Sequence, residues 1–114
     1  AQNPVVLDTY SEPEPDIALL KPHSYRKSHP QPKDVYLIIE FANTSLEKDT
    51  QEKRIAYAEA GIKDYWIANL RKQILLVYRH PLNGDYQTTQ QLKSGQISPL
   101  AFPSVILNVS ELLQ

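Results

Sequence analysis

Neither cysteine nor methionine occurs among the 114 residues. The first absence excludes disulfides and thiolate metal sites and fits a reducing cytoplasm. The second concerns the start of the chain. A translated protein begins with Met, so Ala1 is a processed end or a cut, and "AQNPVVLDTY" reads as the interior of a longer protein whose residues 5–7 already look like a strand. A fragment is therefore expected. No apolar run approaches the ~20 residues that cross a bilayer, and the opening does not read as a signal peptide, so no membrane partner is expected. A Ser/His/Asp order and a glycine-rich phosphate loop are also absent, with only 3 glycines in the chain, which argues against an ordinary small-molecule hydrolase. Net charge is −1, from 12 basic and 13 acidic residues, so bulk electrostatics announces no nucleic-acid binder.

The distribution of charge says more than its sum. Residues 1–20 hold Asp8, Glu12, Glu14 and Asp16 and no base, whereas residues 21–33 hold Lys21, Arg26, Lys27 and Lys33 and no acid. Acidic and basic blocks side by side suit a site for metal and phosphate, and equally suit solvated loops. In "SEPEPDIALL", Pro13 and Pro15 hold Glu12 and Glu14 extended and deliver Asp16 to the mouth of an apolar run. Asp16 either begins a strand as a solvated residue or is aimed at a site.

The length suits one domain over residues 1–114. Residues 17–20 read as a strand closed by Pro22, and residues 21–34 as a loop in which Pro22, Pro30 and Pro32 forbid regular structure. "VYLIIEFA" reads as a central strand covered on both faces. A helix follows, its core at residues 50–60, with Asp49 and Glu52 in capping-box-like spacing and Gly61 at its C-terminal turn. "DYWIANL" and "QILLVYRH" read as a hairpin turning at Arg71-Lys72, and Asn83-Gly84 as a tight turn into the polar edge strand "YQTTQQL". A short strand at residues 105–107 and a helical turn at 110–113 close the chain. The order gives an α/β sandwich around a mixed sheet.

If the strands at 17–20 and 35–39 pair antiparallel, Asp16 and Glu40 share one sheet edge. Glu40 ends a buried run, where a carboxylate is costly unless paired, hydrated or bound to a cation. A divalent metal is a common way to keep two adjacent carboxylates ionised, and Mg²⁺ takes one or two of them while keeping waters. At ~100° per residue, Asp49, Lys53, Ala56, Tyr57 and Ala60 share a helix face. Its two alanines permit close approach to a sheet. Lys53 then faces inward with its ammonium, or snorkels to water. Tyr57 packs, Ile55 points elsewhere, and His23 and His29 are exposed loop residues.

"EPEPDIALL", "LIIEFANTSLEKDTQEK" and "YAEAGIKDYWIANL", in this order and spacing, resemble a bacterial family of restriction-endonuclease-like proteins, formerly a domain of unknown function, within the PD-(D/E)XK nuclease superfamily. The resemblance covers roughly residues 5–113. It implies a mixed sheet with one main helix. By position Pro15-Asp16 matches the first half-motif and Glu40 the acid of the second. The usual lysine site, two residues after the acid, is Ala42; the family shares this departure, and Lys53 stands at the displaced position. The resemblance further implies an endonuclease cleaving DNA with Mg²⁺ or Mn²⁺. Asp16, Glu40 and the main-chain carbonyl of Phe41 would hold the metal, Lys53 would serve the attacking water, and Lys21, Arg26, Lys27 and Lys33 would contact phosphates. The alternative is a non-catalytic nucleic-acid-binding or assembly module that retains the nuclease fold. The resemblance also implies N-terminal elements that this chain is expected to lack, so a bare sheet surface, self-association and weak activity are expected.

Overall fold

The computed structural model describes residues 15–26, 28–43 and 47–114, without the side chains of residues 47–50. The strand expected at residues 5–7 lies outside them. Five strands form one mixed sheet: β1 (Ile17–Leu20), β2 (Val35–Ala42), β3 (Asp64–Asn69), β4 (Ile74–Leu82) and β5 (Asp85–Leu92), side by side in that order. β1 runs antiparallel to β2, with Ile17 opposite Ile39. β2 and β3 are parallel, which requires the crossover helix α1 (Glu47–Ala60) between them. β3, β4 and β5 continue as an antiparallel meander. The expected α/β architecture is thus the observed one.

β2 is apolar nearly throughout because both of its faces are covered. Ile38 faces α1 with Tyr57, Ala58, Ile62, Tyr65 and Ile67. Leu37 and Ile39 face the other way, with Trp66, Ala68, Leu75 and Val77, beneath a ribbon of β6 (Gln96–Ile97) and β7 (Leu107–Asn108) and the turn α2 (Val109–Leu112). Alternate residues of one strand thus feed two cores. Tyr57, Tyr65, Leu37 and Trp66 are among the largest fully buried side chains, and burying each apolar side chain of this size contributes about 1.5–3 kcal/mol.

The local signals work as the dihedrals require. Gly61 has φ of 83°, and the Gly61 N–H donates to the Ala58 carbonyl while the Ile62 N–H donates to the Tyr57 carbonyl, both at 3.0 Å. This pair of bonds is the Schellman ending, which uses the left-handed backbone that glycine adopts without cost. Asn83 (φ 53°) and Gly84 (φ 81°) join β4 to β5 in the two-residue turn whose twist matches that of the strands. Among the described residues β5 pairs only with β4.

Four boundaries differ from expectation. α1 begins at Glu47, before the expected core at residues 50–60, and the side chain of Asp49, one member of the expected capping pair, lies outside the described ones. The proline-rich loop contains a 3₁₀ turn, Pro32–Asp34, because a proline in the first turn has no N–H to lose there. The last strand is Leu107–Asn108, leaving Val105 and Ile106 exposed. The final helical turn accordingly runs one residue earlier, Val109–Leu112. Ile17, Phe41 and Ile55 are also exposed apolar residues. No helix among the described residues is long and apolar enough to cross a membrane.

Candidate active site

The antiparallel register of β1 and β2 sets Asp16 beside Glu40 at one end of both strands. Ala18 and Leu20 pack with the helix-side core, so strand alternation directs Asp16 to the same face. There Asp16 Oδ2 accepts a hydrogen bond from the Phe41 N–H at 2.8 Å. The side chain thereby continues the ladder where β1 ends.

Glu40 is buried, and two donors hold it from different elements. Lys53 of α1 donates through Nζ to Oε1 at 3.0 Å, and Tyr65 of β3 donates its hydroxyl to Oε2 at 2.5 Å. The Lys53 side chain remains 37% exposed against 9% for Glu40, so its ammonium reaches both the carboxylate and water. Each Glu40 oxygen keeps a lone pair, since a carboxylate has about four acceptor positions. Burial, and then the charge of Glu40, push the Tyr65 hydroxyl far above its ordinary value of 10.0. It therefore stays a neutral donor. Tyr57, one helical turn beyond Lys53, is raised in the same way by burial first, then by Glu40, Tyr86 and Asp16. Its ring lies 4.8 Å from that of Tyr65.

The basic loop stands elsewhere. Residues 21–34 join the ends of β1 and β2 remote from Asp16 and Glu40, about 16 Å away for five extended residues. Lys21, Arg26 and Lys33 are exposed, and Lys27 lies outside the described residues. The loop is tied to buried Asp34, whose Oδ2 accepts from the Gln31 N–H at 2.9 Å and whose Oδ1 meets His23 Nε2 at 3.2 Å. The Asp34 main-chain carbonyl accepts from the Lys21 N–H at 2.7 Å. His23 and His29 are exposed as expected, although His23 has this carboxylate partner.

The sequence by itself does not single out Tyr65. A tyrosine at an inward strand position needs a partner for its hydroxyl, and that signal was available; the identity of the partner depends on the parallel β2–β3 register. Nor does the sequence single out Asp64, which is fully buried and holds Arg79 and Trp66 on the opposite face.

As a donor set, Asp16, Glu40 and the Phe41 carbonyl are hard oxygens, the chemistry that Mg²⁺ and Mn²⁺ prefer. Among the described residues no group of three or more His, Cys, Asp or Glu comes together. A cation here would therefore be held by two carboxylates and would keep several waters, as Mg²⁺ ordinarily does. No curated protein matches the chain. Residues 1–110 match the family described as "Uma2: Putative restriction endonuclease", and with nearly its whole length matched the chain belongs to that PD-(D/E)XK-like family.

Proposed function

We propose that the chain is a metal-dependent endonuclease that hydrolyses phosphodiester bonds of DNA with Mg²⁺ or Mn²⁺, within one domain and in the cytoplasm. The observation that carries this reading is the 3.0 Å contact between Lys53 Nζ and Glu40 Oε1, made by a lysine two turns into the helix that follows the acid. Asp16, Glu40 and the Phe41 carbonyl would hold the cation. Bound there, it would supply Lewis-acid stabilisation of the phosphoryl group and a more acidic water.

The protein groups supply the rest. Tyr65 keeps Glu40 oriented by donating to it, and Lys53 adds a positive charge that reaches solvent beside the carboxylate. In that position Lys53 orients the attacking water and offsets the negative charge that develops at phosphorus. Lys21, Arg26, Lys27 and Lys33 would meet backbone phosphates some distance from the cleaved bond, adding affinity without sequence choice.

The test is cleavage of duplex DNA with and without Mg²⁺, using the chain and Glu40→Gln. Glu40→Gln should remove cation-dependent cleavage, by about a hundredfold or more, while the far-UV spectrum is kept. Sedimentation of the same samples reads self-association through β1, an edge of the sheet among the described residues, beside exposed Ile17 and Phe41. Cation-dependent cleavage that survives Glu40→Gln would exclude this site. Binding of DNA without cleavage would favour the non-catalytic module.

A further inference from the structure

Among the described residues, the Tyr57 hydroxyl is buried and has no hydrogen-bond partner. Such groups are rare in folded proteins because an unpaired buried hydroxyl loses its hydration and gains nothing in return. Phenylalanine would fill the same space without that penalty. The neighbouring buried tyrosines are satisfied: Tyr65 donates to Glu40, and Tyr86 donates to the Ile62 carbonyl at 2.7 Å. Arg54 Nε is also buried without a hydrogen bond, but it lies 3.1 Å from Asp85 Oδ1 in an ion pair. Tyr57 has no such substitute.

Its place in the fold says what the hydroxyl is for. Tyr57 follows Lys53 by one turn on α1, so the two side chains project from the same face. Lys53 reaches Glu40 from that face, and the Tyr57 ring packs against Tyr65, the other donor to Glu40. A divalent cation held by two carboxylates keeps waters whose hydrogens need acceptors. The lone pairs of a phenol on the helix face from which Lys53 reaches Glu40 are suited to that need. We propose that Tyr57 is a positioning residue of the cation site, its hydroxyl accepting a hydrogen bond from a water that accompanies the cation at Asp16 and Glu40. This rests on the nuclease reading above and adds a residue to it.

The test uses Mn²⁺ alone, titrated into the full chain and followed by the electron-spin-resonance signal of free Mn²⁺. Tyr57→Phe and Glu40→Gln are measured alongside, with thermal melting of the cation-free proteins. Tyr57→Phe should melt at the same or a higher temperature than the unsubstituted chain when no cation is present, and should bind Mn²⁺ about tenfold more weakly, the usual loss for a partner one step removed from the ions. If Tyr57→Phe binds Mn²⁺ as tightly as the unsubstituted chain, the inference falls and the nuclease reading stands. A lower cation-free melting temperature would make the hydroxyl structural and also overturns it. If the unsubstituted chain binds no Mn²⁺, or Glu40→Gln binds it equally well, the site assignment and this inference fall together.

Discussion

Glu40 and Asp64 are both buried acids on adjacent parallel strands, and their surroundings differ in kind. Asp64 is fully enclosed: its oxygens take Trp66 Nε1 at 2.7 Å, Arg79 Nε at 2.9 Å, the Leu100 N–H at 2.9 Å and a longer contact from Arg79 Nη2 at 3.5 Å. Arg79 also donates to the Ser98 carbonyl at 2.6 Å. The whole group therefore ties the segment at residues 98–100 to the sheet. Glu40 has one neutral donor inside and one half-exposed ammonium outside. A carboxylate with every acceptor position filled can only hold structure together. One that keeps lone pairs and a cationic partner in contact with water can exchange that partner. Burial alone does not separate the two roles; the number and accessibility of the donors does.

Three substitutions sharpen or break this contrast, in order of their expected effect on stability. Asp64→Ala takes the carboxylate from the Arg79 guanidinium, which then keeps the Ser98 carbonyl, and removes the acceptor of the buried Trp66 N–H and of the Leu100 N–H. It should cost about 3–5 kcal/mol in urea unfolding, the range for breaking a buried ion pair from one side. A loss below about 1 kcal/mol would mean that the two acids are equivalent after all. Lys53→Ala should cost no more than about 1 kcal/mol, because the ammonium is more than a third exposed and such pairs contribute little. The same variant should lower DNA turnover more than DNA affinity, and parallel losses of the two would assign Lys53 to binding.

The smallest effect is expected at Asp34. The Gln31 N–H and then His23 hold its carboxyl below the ordinary value of 3.8. A lowered folded value means the contribution is present above the unfolded value and fades as pH falls through the folded one. Asp34→Asn should therefore melt slightly below the unsubstituted chain at pH 7, and the gap should close in acid below about pH 4. A gap that persists in acid would show that shape, and not charge, matters at this position.

The parts of the fold legible in the residues are those where one physical requirement dominates. "VYLIIEFA" has a single plausible fate as a doubly covered strand, Gly61 and Asn83-Gly84 answer to left-handed backbone, and one antiparallel pairing was enough to set Asp16 beside Glu40. The parts that were not legible depend on distant partners. β6 and β7 have two residues each, too few for any period to show. The role of Asp64 does not show in "DYWIANL" because Arg79, its partner, is placed opposite it only by the β3–β4 register. Val105 and Ile106 are apolar yet exposed, where composition alone suggested a strand.

Trp66 is the only tryptophan of the chain, and it follows Tyr65 directly. The pleat sends these neighbours to opposite faces, so the indole sits against Asp64 and Arg79 while the phenol touches Glu40. The protein thus carries a single indole reporter separated from Glu40 by the thickness of one sheet. Indole emission therefore follows whether the meander and its clamped segment are intact, and it reads the integrity of the face opposite Glu40 without a reporter on the Glu40 side itself.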